Sequence, residues 1–210
     1  MRKFLITLSL VLMTMSSNLF AQEITPGKEV DLGLPSGTIW AGWNVGATSP
    51  EEYGDYYAWG EIATKKEYSE ESYKYYNKTT GGYVDLGSNI SGTKYDVARQ
   101  KWGGSWRIPT KAEFEELILK CTWTWCLYKR AKGYKFTGPN GNSIFLPAAG
   151  LRDGTSLTRK GLNGYYWSAS LYEADYGYNA RRFYFIDVFP NSADICDRCA
   201  GLSVRPVKSK

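Results

Sequence analysis

The clearest periodic pattern of apolar and polar positions lies mid-chain and predicts a helix that begins after Thr110. Thr110 and Glu113 have the spacing of a capping box, in which the Thr side chain accepts the Glu113 backbone N–H and the Glu side chain returns to the N-cap. Apolar residues then recur at i, i+3, i+4 and i+7: Phe114, Leu117, Ile118 and Cys121. This spacing places them on one buried face, and the helix is expected to end near residues 120–122.

A shorter helix is predicted just before it, over residues 97–102. Asp96 is a favourable N-cap because its carboxylate can accept a free backbone N–H of the first turn. Gly103 is a favourable stop because glycine readily leaves the helical conformation. Between the first strands and this helix, residues 62–95 are rich in Tyr, Ser, Lys, Asn and Gly. A polar segment this long inside a compact domain is unusual and is often functional.

Other parts of the chain show the shorter alternation that is typical of β-strands. The Asn140-Gly141 pair accepts positive φ and predicts a hairpin between residues 133–137 and 142–146. Further strands are predicted at residues 30–32, 38–40, 165–168, 182–188 and 202–207. Helices followed by consecutive strands indicate an α+β fold and not a wound α/β sheet.

The N-terminus has the pattern of a secretory signal peptide. Arg2 and Lys3 precede a mostly apolar run over residues 4–15, which is long enough for a signal core and too short to span a bilayer. We expect residues 1–21 to be removed after Ala21, leaving a short linker at 22–29 and a single domain at 30–210. The protein is therefore expected to be exported, and secreted, periplasmic or associated with the cell surface, with no transmembrane segment.

Composition and charge narrow the chemistry. The chain has no histidine, which removes the usual general base and the commonest metal ligand, so His-dependent hydrolases and His-based zinc sites are excluded. The net charge is only +5, and two of these charges belong to the signal peptide. The basic residues form no stripe, so a nucleic-acid partner is not expected. The 17 Tyr and 8 Trp combine apolar rings with hydrogen-bonding groups, which suits binding surfaces as well as cores.

Four cysteines suggest two disulfides in an exported chain: Cys121, Cys126, Cys196 and Cys199. Two pairings are considered. One joins Cys121 to Cys199 and Cys126 to Cys196, and the other joins the sequence neighbours. Their C-x4-C and C-x2-C spacings also fit a four-thiolate zinc site, but export favours oxidation over metal binding.

The segment over residues 167–182 is the strongest binding candidate. Its Tyr, Asn, Asp and Arg side chains in a Gly-containing loop combine rigid contact area with adaptable hydrogen bonding, as antibody loops do. The candidate ligand-binding residues are Tyr172, Asp175, Tyr176, Tyr178, Asn179, Arg181, Arg182 and Tyr184. The alternative is a solvated loop with Tyr packed at its base. Arg205, in the last predicted strand, is expected to pair with Glu113 or Glu116 in a structural role.

Several motifs in one order resemble a known family. They are DLGLPSGTIW (31–40), NVGA (44–47), PEEYGDYYAWGE (50–61), WGGSWRIPT (102–110), EFEEL (113–117), CTWTW (121–125), GYKFTGPNGNSIFLPAAG (133–150), GYYWSAS (164–170) and GLSVRPV (201–207). Together they resemble the Fibrobacter succinogenes major paralogous domain of exported Bacteroidetes proteins, over about residues 30–207. The resemblance implies a C-type-lectin-like fold, with two helices packed on small antiparallel sheets and long loops.

The resemblance also implies a function. It favours an exported, non-catalytic adhesion or binding module that recognises a glycan or protein ligand, with residues 165–198 as the ligand-facing part. One alternative is a structural or adhesive subunit of a cell-surface assembly. Another is a thiol- or copper-dependent oxidase, because Cys196 and Cys199 lie where formylglycine-generating enzymes carry copper-binding cysteines. No cofactor is expected, with calcium kept as an alternative because many lectins of this fold use it. Four acids in predicted loops could supply ligands: Asp153, Asp175, Asp194 and Asp197.

Overall fold

The computed structural model describes Ile24 and residues 28–210. The predicted signal peptide, and the predicted linker apart from Ile24, Lys28 and Glu29, lie outside the described residues. The described chain is mixed α+β, with small antiparallel sheets and two α-helices. The α+β prediction is therefore confirmed.

The two helices are α1 (Val97–Trp102) and α2 (Lys111–Lys120), and a 3-10 helix covers Glu173–Asp175. The strands are β1 (Glu29–Asp31), β2 (Ile39–Ala41), β3 (Tyr76–Asn77), β4 (Gly82–Tyr83), β5 (Thr122–Tyr128), β6 (Ala131–Thr137), β7 (Ser143–Pro147), β8 (Leu151–Asp153), β9 (Ser156–Thr158), β10 (Gly164–Leu171), β11 (Asn179–Phe185), β12 (Pro190–Asp197) and β13 (Val207–Lys208).

Both helices begin and end where their capping residues predict. Asp96 accepts the Arg99 backbone N–H at 3.0 Å and so caps α1, which ends at Gly103 with φ of 68°. At the start of α2, the Thr110 hydroxyl accepts the Glu113 backbone N–H at 3.3 Å. The Glu113 carboxylate in turn accepts the Thr110 backbone N–H at 2.8 Å. The predicted capping box is confirmed.

Three sheets of three strands frame the molecule, in the orders β1-β2-β13, β5-β6-β7 and β10-β11-β12. The hairpin predicted around Asn140-Gly141 is confirmed as β6 and β7, in which Thr137 pairs with Ser143. In the first sheet, β13 pairs with β2 and brings the two ends of the described chain together. Two hairpins, β3-β4 and β8-β9, lie outside these sheets.

Helix α2 packs against the β10-β11-β12 sheet and buries its apolar face there. Phe114 of α2 stacks on Phe183 of β11, with ring centroids 4.7 Å apart and an interplanar angle of 9°. Trp40 contacts the same Phe114 ring at 5.4 Å, so the first sheet also reaches this core. Aromatic pairs with such geometries add stability beyond their buried area. The helix thus fixes the position of the sheet that carries half of the candidate binding residues.

Two predicted strands differ from the structure. The strand predicted at 182–188 lies earlier, at Asn179–Phe185, because a turn follows in which Ile186 N–H donates to the Phe189 carbonyl at 3.2 Å. The strand predicted at 202–207 is an extended segment whose backbone bridges to separate neighbours, at Tyr57, Tyr166 and Arg107. Regular pairing begins only with β13, because the segment runs between sheets and not along one.

The predicted pairing of Arg205 with a helix carboxylate is wrong. Arg205 is 0% exposed and donates to Asn44 Oδ1 at 2.8 Å, the Ala41 carbonyl at 3.0 Å and the Phe145 carbonyl at 2.8 Å. Burial lowers the pKa of Arg205 to about 10. The partner of Glu113 is instead Arg107, whose Nη2 lies 2.6 Å from Glu113 Oε1. Arg205 is a structural residue, as expected, but it joins loops and strands and does not contact α2.

Candidate functional site

The candidate site is built on the last residue of β10 and the connection to β11, residues 171–178, which we call the ridge. The Asp175 carboxylate accepts the backbone N–H of Gly177 at 3.2 Å and of Asn179 at 3.1 Å. It also accepts the Asn179 side-chain amide at 2.6 Å. Two of the predicted ligand-binding residues, Asp175 and Asn179, are therefore engaged in shaping the turn, as Asp and Asn commonly are.

Tyr176 lies at the tip of the ridge and is presented to solvent. Its side chain is 96% exposed. Its backbone has φ of 59°, in the left-handed region that non-glycine residues seldom adopt. The Asp175 hydrogen bonds on either side hold the backbone in this conformation. Tyr176 thus combines a strained backbone with a large aromatic side chain that packs against no other part of the described chain. This combination is more typical of a ligand-contact site than of a solvated loop.

The ridge packs against the long polar segment that the sequence marks as unusual. The Tyr178 ring meets Tyr83 of β4 edge-on, with centroids 5.2 Å apart. Tyr83 also contacts Tyr73 at 5.5 Å and Tyr76 at 5.4 Å. The polar segment therefore contains an aromatic cluster that supports one side of the ridge, and Tyr178 belongs to that support with 41% of its surface exposed.

Two open clefts, each of about 330 Å³, flank the ridge. The first, named here the Arg181 cleft, is lined by Lys111, Ser170, Leu171, Tyr172, Glu173, Ala174 and Arg181. The second, named the Arg198 cleft, is lined by Tyr83, Asp85, Leu171, Glu173, Tyr176, Gly177 and Arg198. Leu171 and Glu173 line both, so the ridge is a wall that the two clefts share.

The two clefts differ in charge. In the Arg181 cleft, the guanidinium of Arg181 lies 4.5 Å from the Tyr172 ring centroid, and Lys111 adds a second cation. In the Arg198 cleft, Asp85 and Glu173 face a single guanidinium. Glu173 lines both clefts and Lys111 is paired with Glu115, so a ligand that spans the ridge would meet the Arg181 guanidinium as the main cation on one side and a mainly acidic wall on the other.

Arg198 is a site residue that sequence reasoning missed. Its side chain is 1% exposed and lies among the rings of Trp59, Tyr73 and Tyr83, at 4.8, 5.6 and 5.3 Å. It donates to the Tyr73 hydroxyl, to the Gly177 carbonyl of the ridge and to the Val84 carbonyl, at 3.0–3.2 Å. Arg198 therefore joins the ridge to the polar segment. No local sequence pattern indicates this role, because all its partners are distant in sequence.

Arg182 and Tyr184 lie apart from the clefts. Both are on β11, which corrects the expectation that the candidate binding residues lie in a loop. The Arg182 Nε donates to Asp194 at 2.9 Å, and its guanidinium lies 4.7 Å from the Tyr165 ring. Tyr184 stacks on Tyr165 at 5.1 Å. Both side chains are therefore engaged in packing on the sheet and not in the two clefts.

The predicted disulfides are not formed, since all four cysteines are free thiols. Each cysteine belongs to a different apolar cluster. Cys121 lies in the cluster that contains Phe114, and Cys199 lies in the cluster that contains Tyr73. Cys126 packs against the cluster of Phe145, and Cys196 packs against the cluster of Trp167. Neither predicted pairing is met.

Burial also keeps the thiols protonated. It raises the pKa of Cys121 to about 12 and that of Cys196 and Cys199 each to about 11. The thiolate is the nucleophile and the metal ligand, so these values disfavour both thiol chemistry and metal binding near neutral pH. Over residues 28–210 and Ile24, no group of three or more His, Cys, Asp or Glu side chains is placed to hold a metal ion.

Comparisons of the chain with protein-family models, with curated proteins and with solved structures find no match. The resemblance to the major paralogous domain family therefore stays a prediction. In the described part of the chain, no helix has the length and apolar character needed to cross a membrane.

Proposed function

We propose that the protein is an exported, non-catalytic binding module of the C-type-lectin-like kind, which recognises a glycan through the ridge and its two clefts. The observation that carries the proposal is Tyr176, a 96% exposed ring on a left-handed backbone between two clefts. Internal packing does not explain why a tyrosine occupies this strained backbone position, because the ring packs against no other described residue. Its exposure suits contact with a ligand.

The chemistry of the clefts suits a carbohydrate. The Tyr83 and Tyr176 rings offer flat apolar faces to a sugar ring, while Asp85 and Glu173 offer acceptors for its hydroxyl groups. On the other side, Arg181 and Lys111 offer donors. A few convergent polar groups among aromatic side chains are typical of small-ligand sites.

Two further observations support a module without catalysis. The chain has no histidine, and burial keeps three of its thiols protonated near neutral pH. The described residues have two helices on small antiparallel sheets, with the first and last strands in one sheet, which agrees with the fold that the family resemblance implies. The predicted signal peptide supports export.

A glycan array with the purified protein tests the proposal. We expect retention of a defined group of glycans, and loss of that retention in Tyr176→Gly. Glycine suits the left-handed backbone, so this variant removes the ring without straining the fold. Arg159→Gly is the matched control, because Arg159 is also exposed and left-handed, with φ of 57°, and lines neither cleft. Equal retention by wild type and Tyr176→Gly would contradict the site.

A structural subunit of a surface assembly is the second candidate, and strand β5 favours it. Within the described residues β5 pairs only with β6, so its other edge keeps free backbone hydrogen-bonding groups. Trp123 and Leu127 are exposed on this strand, and Leu127 is 66% exposed. Edge strands of this kind can pair with another chain. Sedimentation of wild type and Leu127→Lys tests this: a concentration-dependent oligomer that the charge abolishes would favour the assembly function.

A further inference from the structure

A third cavity is lined by other residues than the two clefts and has no role in the proposed function. It has a volume of about 410 Å³ and is lined by Gly54, Asp55, Tyr56, Thr64, Lys65, Lys66, Tyr68 and Arg152. We call it the Arg152 cavity. It shares no lining residue with the Arg181 cleft or the Arg198 cleft. Ligand binding in the Arg152 cavity can therefore be tested separately from ligand binding at the ridge.

The walls of this cavity are fixed by buried contacts. The Tyr56 hydroxyl donates to the Ala149 carbonyl at 2.6 Å, and the Tyr68 hydroxyl donates to the Tyr56 carbonyl at 2.5 Å. Tyr68 and Gly154 also exchange two backbone hydrogen bonds, at 2.8 and 3.0 Å. These bonds tie the loop before Tyr68 to the turn after Arg152. The cavity is therefore formed before any ligand arrives, which lowers the entropic cost of binding.

The charge of the lining is strongly biased. Lys65 is already held by Glu61 at 2.9 Å and by the Ser72 carbonyl at 3.1 Å, so it contributes mainly through its field. Lys66 and Arg152, in contrast, have no carboxylate partner among the described residues. The one acid in the lining, Asp55, accepts the Tyr57 hydroxyl at 3.0 Å. Two uncompensated cations thus converge on one preformed cavity.

Arg152 has the geometry of an oxyanion donor. Its guanidinium lies 5.4 Å from the centroid of the buried Tyr56 ring, a contact that limits its motion. A planar guanidinium held in this way can donate two parallel hydrogen bonds to a sulfate or phosphate group. Lys66 is exposed and can add a third donor from the opposite loop. The Thr64 hydroxyl and the Asp55 carboxylate remain for neutral hydroxyl groups of the same ligand.

We propose that the Arg152 cavity binds a sulfate or phosphate ester carried on a hydroxyl-bearing molecule, such as a sugar. The ester oxygens contact Arg152 and Lys66, and the hydroxyl groups donate to Asp55. Asp55 also makes the cavity selective, because it repels a ligand that carries negative charge on both sides. This site would give the protein a second point of attachment to an acidic surface or polymer.

Titration calorimetry of the purified protein with four probes tests the proposal: glucose 6-sulfate, glucose 6-phosphate, glucuronate and glucose. We expect binding of one or both esters and none of glucose. A preference for one ester identifies the source of the oxyanion. Binding of glucuronate as tight as that of both esters would overturn the assignment to a tetrahedral oxyanion, and absence of ester binding would overturn the site.

Variants decide whether the cavity is responsible. Lys66→Glu should abolish ester binding while leaving the fold unchanged, because Lys66 is exposed. Arg152→Gln should weaken it at least about tenfold, the loss expected for a charge-assisted hydrogen-bonding pair. Lys78→Gln is the control, since Lys78 is equally exposed and lies outside the cavity. Ester binding that survives Lys66→Glu, or falls equally in Lys78→Gln, would overturn the proposal. Tyr176→Gly should leave ester binding unchanged.

Discussion

Arg205 offers the sharpest test of how the fold is held together. Its guanidinium is completely buried, and no carboxylate neutralises it among the described residues. It donates instead to three acceptors from separate parts of the chain, Asn44, Ala41 and Phe145, at 2.8–3.0 Å. These bonds connect the early loop, strand β2 and strand β7 around the final segment. We predict that Arg205→Ala severely destabilises the protein.

The magnitude follows from those three acceptors. A buried acceptor without a partner costs about 1–3 kcal/mol, and water that enters the vacated space recovers part of this. Three such acceptors, after that recovery, together cost about 3–5 kcal/mol. Since domains are stable by only about 5–15 kcal/mol, we expect Arg205→Ala to lose between about a fifth and all of the free energy of unfolding.

Urea unfolding followed by tryptophan fluorescence measures this loss. Arg159→Ala is the matched control, because Arg159 is exposed, and it should change the free energy of unfolding by less than about 0.5 kcal/mol. Arg205→Lys should fall between wild type and Arg205→Ala, because an ammonium cannot span three acceptors in the guanidinium plane. A loss below about 1 kcal/mol in Arg205→Ala would refute the reasoning.

Three further predictions concern the core and the thiols. Burial opposes ionisation of Glu113, but hydrogen bonds from Arg107 and Thr110 outweigh it and hold its pKa below the ordinary value. The difference in free energy of unfolding between wild type and Glu113→Gln should therefore be largest above about pH 5 and should decline as the pH falls through the lowered pKa. A difference that grows as the pH falls would contradict this. Gly164→Ala should lower Tm by several degrees, because its Cβ would lie 2.0 Å from the Phe185 ring, whereas Gly82→Ala, with its nearest atom at 3.9 Å, should not. The four thiols should react slowly with a disulfide reagent at pH 7.5 in the native protein, because desolvation raises the pKa of each, and completely in denaturant; rapid native labelling, or fewer than four thiols in denaturant, would contradict free thiols that are held protonated.

Local signals allowed the sequence to predict much of the fold. The caps of Asp96 and Thr110 determine both helices, because each is satisfied by backbone groups within three residues. The Asn140-Gly141 turn likewise specifies its hairpin. These elements depend on neighbours in sequence, so a single chain without an alignment is sufficient to find them.

The rest depends on contacts between distant residues. Strand β12 exists because it pairs with β11, where Arg182 faces Asp194, and nothing in residues 190–197 alone specifies a strand. The same pairing divides the predicted binding segment, since it draws Arg182 and Tyr184 into the sheet and leaves Tyr176 exposed. Arg198 and Arg205 acquire their roles only from partners more than 20 residues away. Both side chains are buried.

The affinity of three proteins for one glycan tests the central claim most directly. Once an array has identified a glycan, its Kd is measured for wild type, Tyr176→Gly and Arg159→Gly. We predict that Tyr176→Gly raises Kd at least about tenfold at an unchanged or higher Tm, because it removes an exposed ring and relieves a left-handed backbone. Arg159→Gly should leave Kd unchanged. An unchanged Kd in Tyr176→Gly, or an equal loss in both variants, would contradict a binding site on the ridge.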